Sequence, residues 1–129
     1  MNLIQVRTVL VWMIISLKNY HYLDSYMESI TPETISQIIN QPEYLLFYFT
    51  AKWCGPCQKI KPMVVKLQEG LQTNNIKFYV IDIDDNDELC EKCNVSSVPT
   101  FILFKDKKEV GQCKGADIVP VANLIKPYC

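Results

Sequence analysis

Two cysteines one helical turn apart, Cys54 and Cys57 in Trp53-Cys54-Gly55-Pro56-Cys57, are the residues of this chain best suited to chemistry. Only a thiolate attacks a disulfide, and an ordinary cysteine, with a pKa of about 8.5, is a few per cent ionised at neutral pH. Bringing such a thiol to about 7 takes roughly 2 kcal/mol of stabilisation specific to the charged form. The apolar run Leu45-Leu46-Phe47-Tyr48-Phe49 precedes the pair and reads as a strand buried on both faces. Gln58 to Leu67 follows it with apolar positions at helical spacing. Cys54 thus stands where a helix begins, with free backbone N–H groups directed at its sulfur. The helix end contributes about 0.3–1 kcal/mol, which leaves N–H bonds to sulfur and the second thiol to supply the rest. The stabilisation has an optimum, because a thiolate held too firmly attacks poorly. A site of this kind makes and breaks disulfides. Cys54, the exposed first thiol, is expected to attack, and Cys57, inside the first turn, to resolve the mixed disulfide. Gly55 permits the tight turn, and Pro56 fixes φ where a helix start needs no N–H.

Three further features stand at telling distances. Pro62 lies five residues past Cys57, Val98-Pro99-Thr100 precedes the apolar run Phe101-Ile102-Leu103-Phe104, and Gly115 follows the next predicted strand. Together with the five-residue run around the dithiol they make the chain resemble the thioredoxin family over about residues 25–126. The resemblance implies a thioredoxin fold and a redox-active Cys54–Cys57 disulfide. It further implies that Pro62 kinks the active-site helix, that the Val98–Pro99 peptide bond is cis and faces the dithiol, and that Gly115 floors the substrate groove. Trp53 would border the dithiol and shield it partly from water. Trp53, Gly55, Pro56, Val98, Pro99 and Gly115 are then the substrate-binding residues, with Val98 offering its backbone to an extended client strand. No bound cofactor is implied; electrons would come from NADPH through a thioredoxin reductase, and the partners would be that reductase and disulfide-containing client proteins. Thioredoxins are themselves a standard instance of a thiol tuned in this way.

One position departs from the family. Six residues before the first cysteine, where thioredoxins usually carry a buried aspartate thought to help deprotonate the resolving thiol, this chain has Tyr48. A phenol, with a pKa of about 10, is a poor base at neutral pH but can donate a hydrogen bond or fill the core. Tyrosine within Phe47-Tyr48-Phe49-Thr50-Ala51 also looks like the tryparedoxin and nucleoredoxin branch. Dithiol exchange should survive, with slower resolution by Cys57.

Four cysteines remain. Cys90 and Cys93 form a second CxxC, but the distance from Cys57 exceeds ordinary zinc-ribbon spacing, so no metal site is expected. A regulatory Cys90–Cys93 disulfide stays open, with acidic neighbours expected to keep both thiols protonated. Cys113 reads as a small apolar residue facing the sheet, and Cys129, at the chain end, as a mobile thiol able to bridge to another molecule. Asp82 and Asp84, near a strand end, read as loop formers or caps. His21, the only histidine, lies outside the predicted domain, so no Cys-His protease pair is available.

The elements that must position the dithiol alternate along the chain. A short strand at Ser29–Ile30 is followed by a helix capped at Thr31-Pro32-Glu33-Thr34 that turns Ile35, Ile38 and Ile39 inward. Ile76 to Ile83 reads as a strand and Asn86 to Lys92 as a short helix. Phe101–Lys105 and Glu109–Cys113 read as a hairpin around Asp106-Lys107-Lys108. Ala116 to Ile125 reads as a last helix whose first turns Pro120 disturbs. This order predicts an α/β domain with a mixed four- or five-stranded sheet flanked by helices. The chain has 129 residues, 49% of them hydrophobic, and a formal net charge of −1, which suits one modest core and excludes a disordered chain or a nucleic-acid binder.

The organisation expected is an apolar N-terminal segment, 1–24, and a thioredoxin-like domain, 25–129. Arg7 and Lys18 bracket an uncharged stretch of ten residues, Thr8 to Leu17, that is short for a bilayer span and long enough for a signal-peptide core. A leader, a membrane association through residues 1–17 and an extra packed helix all stay open. The Gly-Pro dithiol resembles reducing cytoplasmic members more than secretory ones. The function expected is a protein-disulfide reductase. The alternatives are a tethered client-binding module with little turnover and a secretory disulfide oxidase or isomerase.

Overall fold

A computed structural model describes residues 28–70 and 75–129; the expectations for residues 1–24, including the leader and His21, lie outside them. Five strands form one sheet in the order β1-β3-β2-β4-β5. They are β1 (Glu28–Ser29), β2 (Tyr44–Thr50), β3 (Ile76–Asp82), β4 (Thr100–Lys105) and β5 (Lys108–Lys114). β2 lies parallel to β3 and antiparallel to β4, so the apolar run occupies the middle of a mixed sheet. The helices are α1 (Ile35–Ile38), α2 (Gly55–Gly70), α3 (Asp87–Lys92) and α4 (Ile118–Ile125), followed by a 3-10 turn at Lys126–Tyr128.

Side chains of successive strand residues point to opposite faces, and this alternation divides the core in two. Leu46, Tyr48, Phe78, Phe101 and Leu103 pack on Ile60, Val64 and Val65 of α2 and on Val121 and Ile125 of α4. Leu45, Phe47, Phe49, Tyr79, Ile81, Ile102 and Phe104 face Ile30 and Ile38, with Leu89 and Cys90 of α3 and Cys93 at its end against them. A fully buried aliphatic or aromatic side chain is worth about 1.5–3 kcal/mol, so these two layers are what fix the C-terminal end of β2 in place.

Several boundaries differ from the sequence expectation. The first strand is Glu28–Ser29, and Ile30 follows it with its N–H donated to Val80 O. Thr31–Thr34 closes a turn of its own, in which the Thr34 hydroxyl donates to Thr31 O at 3.0 Å. The helix therefore begins later, with Thr34 rather than Thr31 at its cap, and lasts one turn. The hairpin is tighter than expected: Asp106 and Lys107 both take positive φ, 51° and 66°, as the two central residues of a primed turn do, and β5 starts at Lys108. Pro120 does not disturb α4. Asp117 caps that helix by accepting the Val119 N–H at 3.0 Å, and Pro120 falls in the first turn, where a missing N–H costs no intrahelical bond. Among the described residues no helix is long and apolar enough to cross a membrane.

Candidate active site

The chain leaves β2 at Thr50 and turns through Ala51 and Lys52 into α2. Cys54 stands immediately before the helix, with its N–H donated to Ala51 O and its carbonyl accepting the Gln58 N–H, both at 3.2 Å. Gln58 returns its side-chain amide to Ala51 O, also at 3.2 Å, so the turn is held from both sides. Cys54 and Cys57 are joined as a disulfide. The backbone N–H of Cys57 donates to Cys54 Sγ at 3.2 Å, which gives the sulfur the role of an N-cap acceptor. Ala51, Ile83 and Val98 pack around the pair. Cys54 is less open than the sequence suggested: it is 5% exposed in the disulfide form, against 0% for Cys57. The contrast between the two sulfurs survives, but access to Cys54 is through a narrow opening, because the loop before β4 lies across it.

That loop carries the cis Val98–Pro99 bond. The carbonyl oxygen of Val98 lies 3.7 Å from Cys54 Sγ. Gly115, at φ 97°, donates its N–H to Pro99 O at 3.0 Å and so ties the end of β5 to the same loop. Thr100 fastens it from the other side by donating its hydroxyl to Ser97 O at 2.6 Å. Trp53 is 68% exposed, and its indole N–H donates to Asp84 Oδ2 at 3.1 Å. Trp53, Asp84 and Val98 share the wall of a cavity of about 300 Å3 beside the dithiol. Gly55 and Pro56 form the exposed first turn of α2. Trp53, Gly55, Pro56 and Val98 thus lie next to Cys54 in the chain or in space, and Pro99 and Gly115 are joined to it through Val98; Pro62 sits farther along, inside α2, where it withholds an N–H from the Gln58 carbonyl.

Tyr48 lies beneath the dithiol. It is buried, stacks on Phe101 with centroids 4.7 Å apart and planes 7° from parallel, and donates its hydroxyl to Cys57 O at 3.2 Å. Burial holds its hydroxyl above the usual phenol range, opposed by a hydrogen bond with Thr50. The residue fills core and braces the helix end at once.

The thioredoxin family model matches residues 26–126. The chain belongs to the thioredoxin family. It is similar to thioredoxin-1 of Saccharomyces cerevisiae, 36% identical over 95 residues, which cover 74% of this chain and 90% of that protein. It is also similar to the mitochondrial thioredoxin-3 of the same yeast, 32% identical over 114 residues, covering 85% of this chain and 87% of the relative. Among solved structures, Plasmodium falciparum thioredoxin superposes with a TM-score of 0.74 at 31% identity, over 80% of this chain and 100% of the other. The protein is a thiol-disulfide oxidoreductase with Cys54–Cys57 as its redox pair, and thioredoxins act on disulfide substrates.

The other described cysteines, Cys90, Cys93, Cys113 and Cys129, form no disulfide. Burial raises Cys90 first and the Asp87 and Asp82 carboxylates second, so the acidic neighbours named from sequence are the lesser cause. Cys93 is pushed up to about 11 by burial, then by Cys90 and Glu109. Cys113 is half-buried against the α2 and α4 layer and raised by burial. Cys129 is exposed and donates its thiol to Ile125 O at 3.3 Å, so the terminal residue is tethered to α4 where sequence reading expected a loose end. Among the described residues no three cysteine, histidine or acidic groups gather as metal ligands would.

Sequence reading missed two partners of the site. Asp84 accepts the indole N–H, and Asn86 spans Ile30 O and Asp82 O with its side-chain amide, at 3.2 and 3.0 Å. The signal for the first was available: β2 and β3 are parallel with Thr50 opposite Asp82, so the residues after each strand end meet.

Proposed function

We propose that this protein reduces disulfides of other proteins, with Cys54 as nucleophile and Cys57 as resolving thiol. The observation that carries this is the asymmetry of the pair: the Cys57 N–H reaches Cys54 Sγ at 3.2 Å, while the Cys57 sulfur is wholly buried. In the reduced protein the Cys54 thiolate attacks one client sulfur, the client disulfide breaks, and one client thiolate leaves. Cys57, losing its proton to that thiolate or to water, then attacks Cys54 Sγ, closes the Cys54–Cys57 disulfide and releases the second client thiol. Two electrons pass from dithiol to client. Trp53, Gly55, Pro56, Val98, Pro99 and Gly115 form the surface on which the client lies, with the Val98 backbone nearest the reacting sulfur. A thioredoxin reductase using NADPH restores the dithiol.

The reducing direction accords with the Gly-Pro spacer, and a reducing compartment such as the cytoplasm is the setting it suits. An insulin-reduction assay with dithiothreitol or reductase tests the reading. Wild type should turn over, and Cys57→Ser should accumulate a mixed disulfide through Cys54. Client binding that persists after loss of both thiols, with no turnover, would mark a tethered binding module instead. A reduction potential above the glutathione range of about −220 to −260 mV would point to an oxidase.

A further inference from the structure

The cavity of about 300 Å3 beside the dithiol, which Trp53, Asp84 and Val98 share, is also walled by Asp87 and Cys90. No lysine or arginine lines it. Asp84 and Asp87 are both exposed, and among the described residues neither belongs to an ion pair. Their charge is felt in the wall itself: burial first and the Asp87 carboxylate second hold the Cys90 proton.

Two neighbours decide what this negative charge meets. Val98, whose carbonyl oxygen lies 3.7 Å from Cys54 Sγ, is part of the same wall, so the cavity adjoins the place where a client disulfide reacts. Trp53, 68% exposed and tied to Asp84 through its indole N–H, is part of it as well, and an indole attracts cations through its ring quadrupole. A carboxylate pair and an indole together favour a cationic side chain, and arginine most, because its planar fork pairs with carboxylates and stacks on aromatic rings. In an extended strand, side chains two residues apart share a face. A client residue two places from the reacting half-cystine therefore points, like it, at the surface flanking the dithiol.

We propose that Asp84 and Asp87 select clients that carry an arginine or lysine two residues from the half-cystine attacked by Cys54. The inference rests on the reducing role given above and adds a substrate preference to it. The basic side chain enters the cavity beside Trp53 and pairs with the two carboxylates, while the client backbone passes Val98. Because both carboxylates are exposed, the preference acts mainly by steering the encounter, and salt screens it. An acidic residue at the same place in a client meets like charge and is disfavoured.

Short peptides with a central cysteine held as a mixed disulfide with 2-thiopyridine test this on the full-length, reduced protein. They carry Arg, Gln or Glu two residues before or two residues after the cysteine. Cys54 attacks the peptide sulfur, thiopyridone departs as the better leaving group, and Cys57 then frees the peptide thiol. Each second-order rate of thiopyridone release is divided by the rate with dithiothreitol, which removes the peptides' own differences in reactivity. In at least one placement the Arg peptide should react about tenfold faster than the Glu peptide at about 0.02 M salt, with Gln between them, and within about twofold at about 0.5 M. Asp87→Asn should shrink the Arg-to-Glu ratio about threefold, while Asp106→Asn, on the hairpin turn, should leave it unchanged. Equal rates for the three peptides in both placements, a preference that salt does not weaken, or an unaltered ratio in Asp87→Asn would each overturn the proposal. Failure of every peptide to react, the Gln peptides included, would overturn the reducing role and this inference with it. The comparison of peptides and salts needs no variant.

Discussion

The hydroxyl of Tyr48 donates a 3.2 Å hydrogen bond to the carbonyl of Cys57. A residue at the place where thioredoxins usually hold an acid is therefore bonded to the backbone of the resolving cysteine and not to its sulfur. Its hydroxyl is held protonated by burial, so it takes no proton from Cys57 at any working pH. Tyr48→Phe keeps the ring and its stacking on Phe101 and removes the hydroxyl with its bonds to Cys57 and Thr50. The expected loss is about 1 kcal/mol of stability by denaturant titration, with insulin reduction changed by less than about threefold. A fall of a hundredfold or more would show that the hydroxyl takes part in proton transfer.

How much of this was readable beforehand depended on how local each signal was. The strand at Tyr44–Thr50 and the helix after it were legible because a long apolar run and a 3.6-residue period are properties of contiguous sequence. The direction of the Tyr48 hydroxyl was not, because it depends on where the helix start lies over β2. The Trp53–Asp84 bond crosses 31 positions and becomes visible only once β2 and β3 are in register. The cap of α1 was misplaced because Thr31 and Thr34 bond to one another and form a turn that competes with the helix.

The Trp53–Asp84 bond is exposed, so its value lies in holding the indole beside the dithiol more than in stability. Asp84→Ala should cost less than about 1 kcal/mol of stability. It should lower kcat/KM for insulin several-fold while altering reduction of a small aromatic disulfide much less, since a small disulfide needs no extended surface. Equal losses for both would place the effect at the sulfurs.

Gly115 takes φ 97°, and a Cβ built there would meet nothing within 4 Å. The cost of Gly115→Ala is therefore conformational, about 1–2 kcal/mol, with no steric part. Denaturant titration should show that loss together with a raised KM for protein clients, because the Gly115 N–H anchors the Pro99 carbonyl. Unchanged stability would mean that the loop rearranges without strain.

The Cys93 thiol should leave its mark on stability at high pH. Its folded value, about 11, lies above the ordinary value near 9, so the folded state holds the proton more firmly than the unfolded one. The sign follows from linkage: this contribution is whole below about pH 9 and is lost as pH rises from about 9 to 11. Cys93→Val should flatten the decline in denaturant midpoint across that window relative to wild type. An identical decline would assign it to other groups, Cys90 and Cys113 first, since burial raises those as well.

The central claim is that the end of α2 holds the Cys54 sulfur as a thiolate, through the Cys57 N–H and the free N–H groups of the first turn. Iodoacetamide labelling of reduced Cys54 across pH 5 to 10, read by mass spectrometry against a free cysteine peptide, tests it directly. Cys54 should label faster than the peptide at neutral pH, with a half-maximal rate on the acid side of about 8.5, the ordinary thiol value. A half-maximum at or above that value would contradict the account.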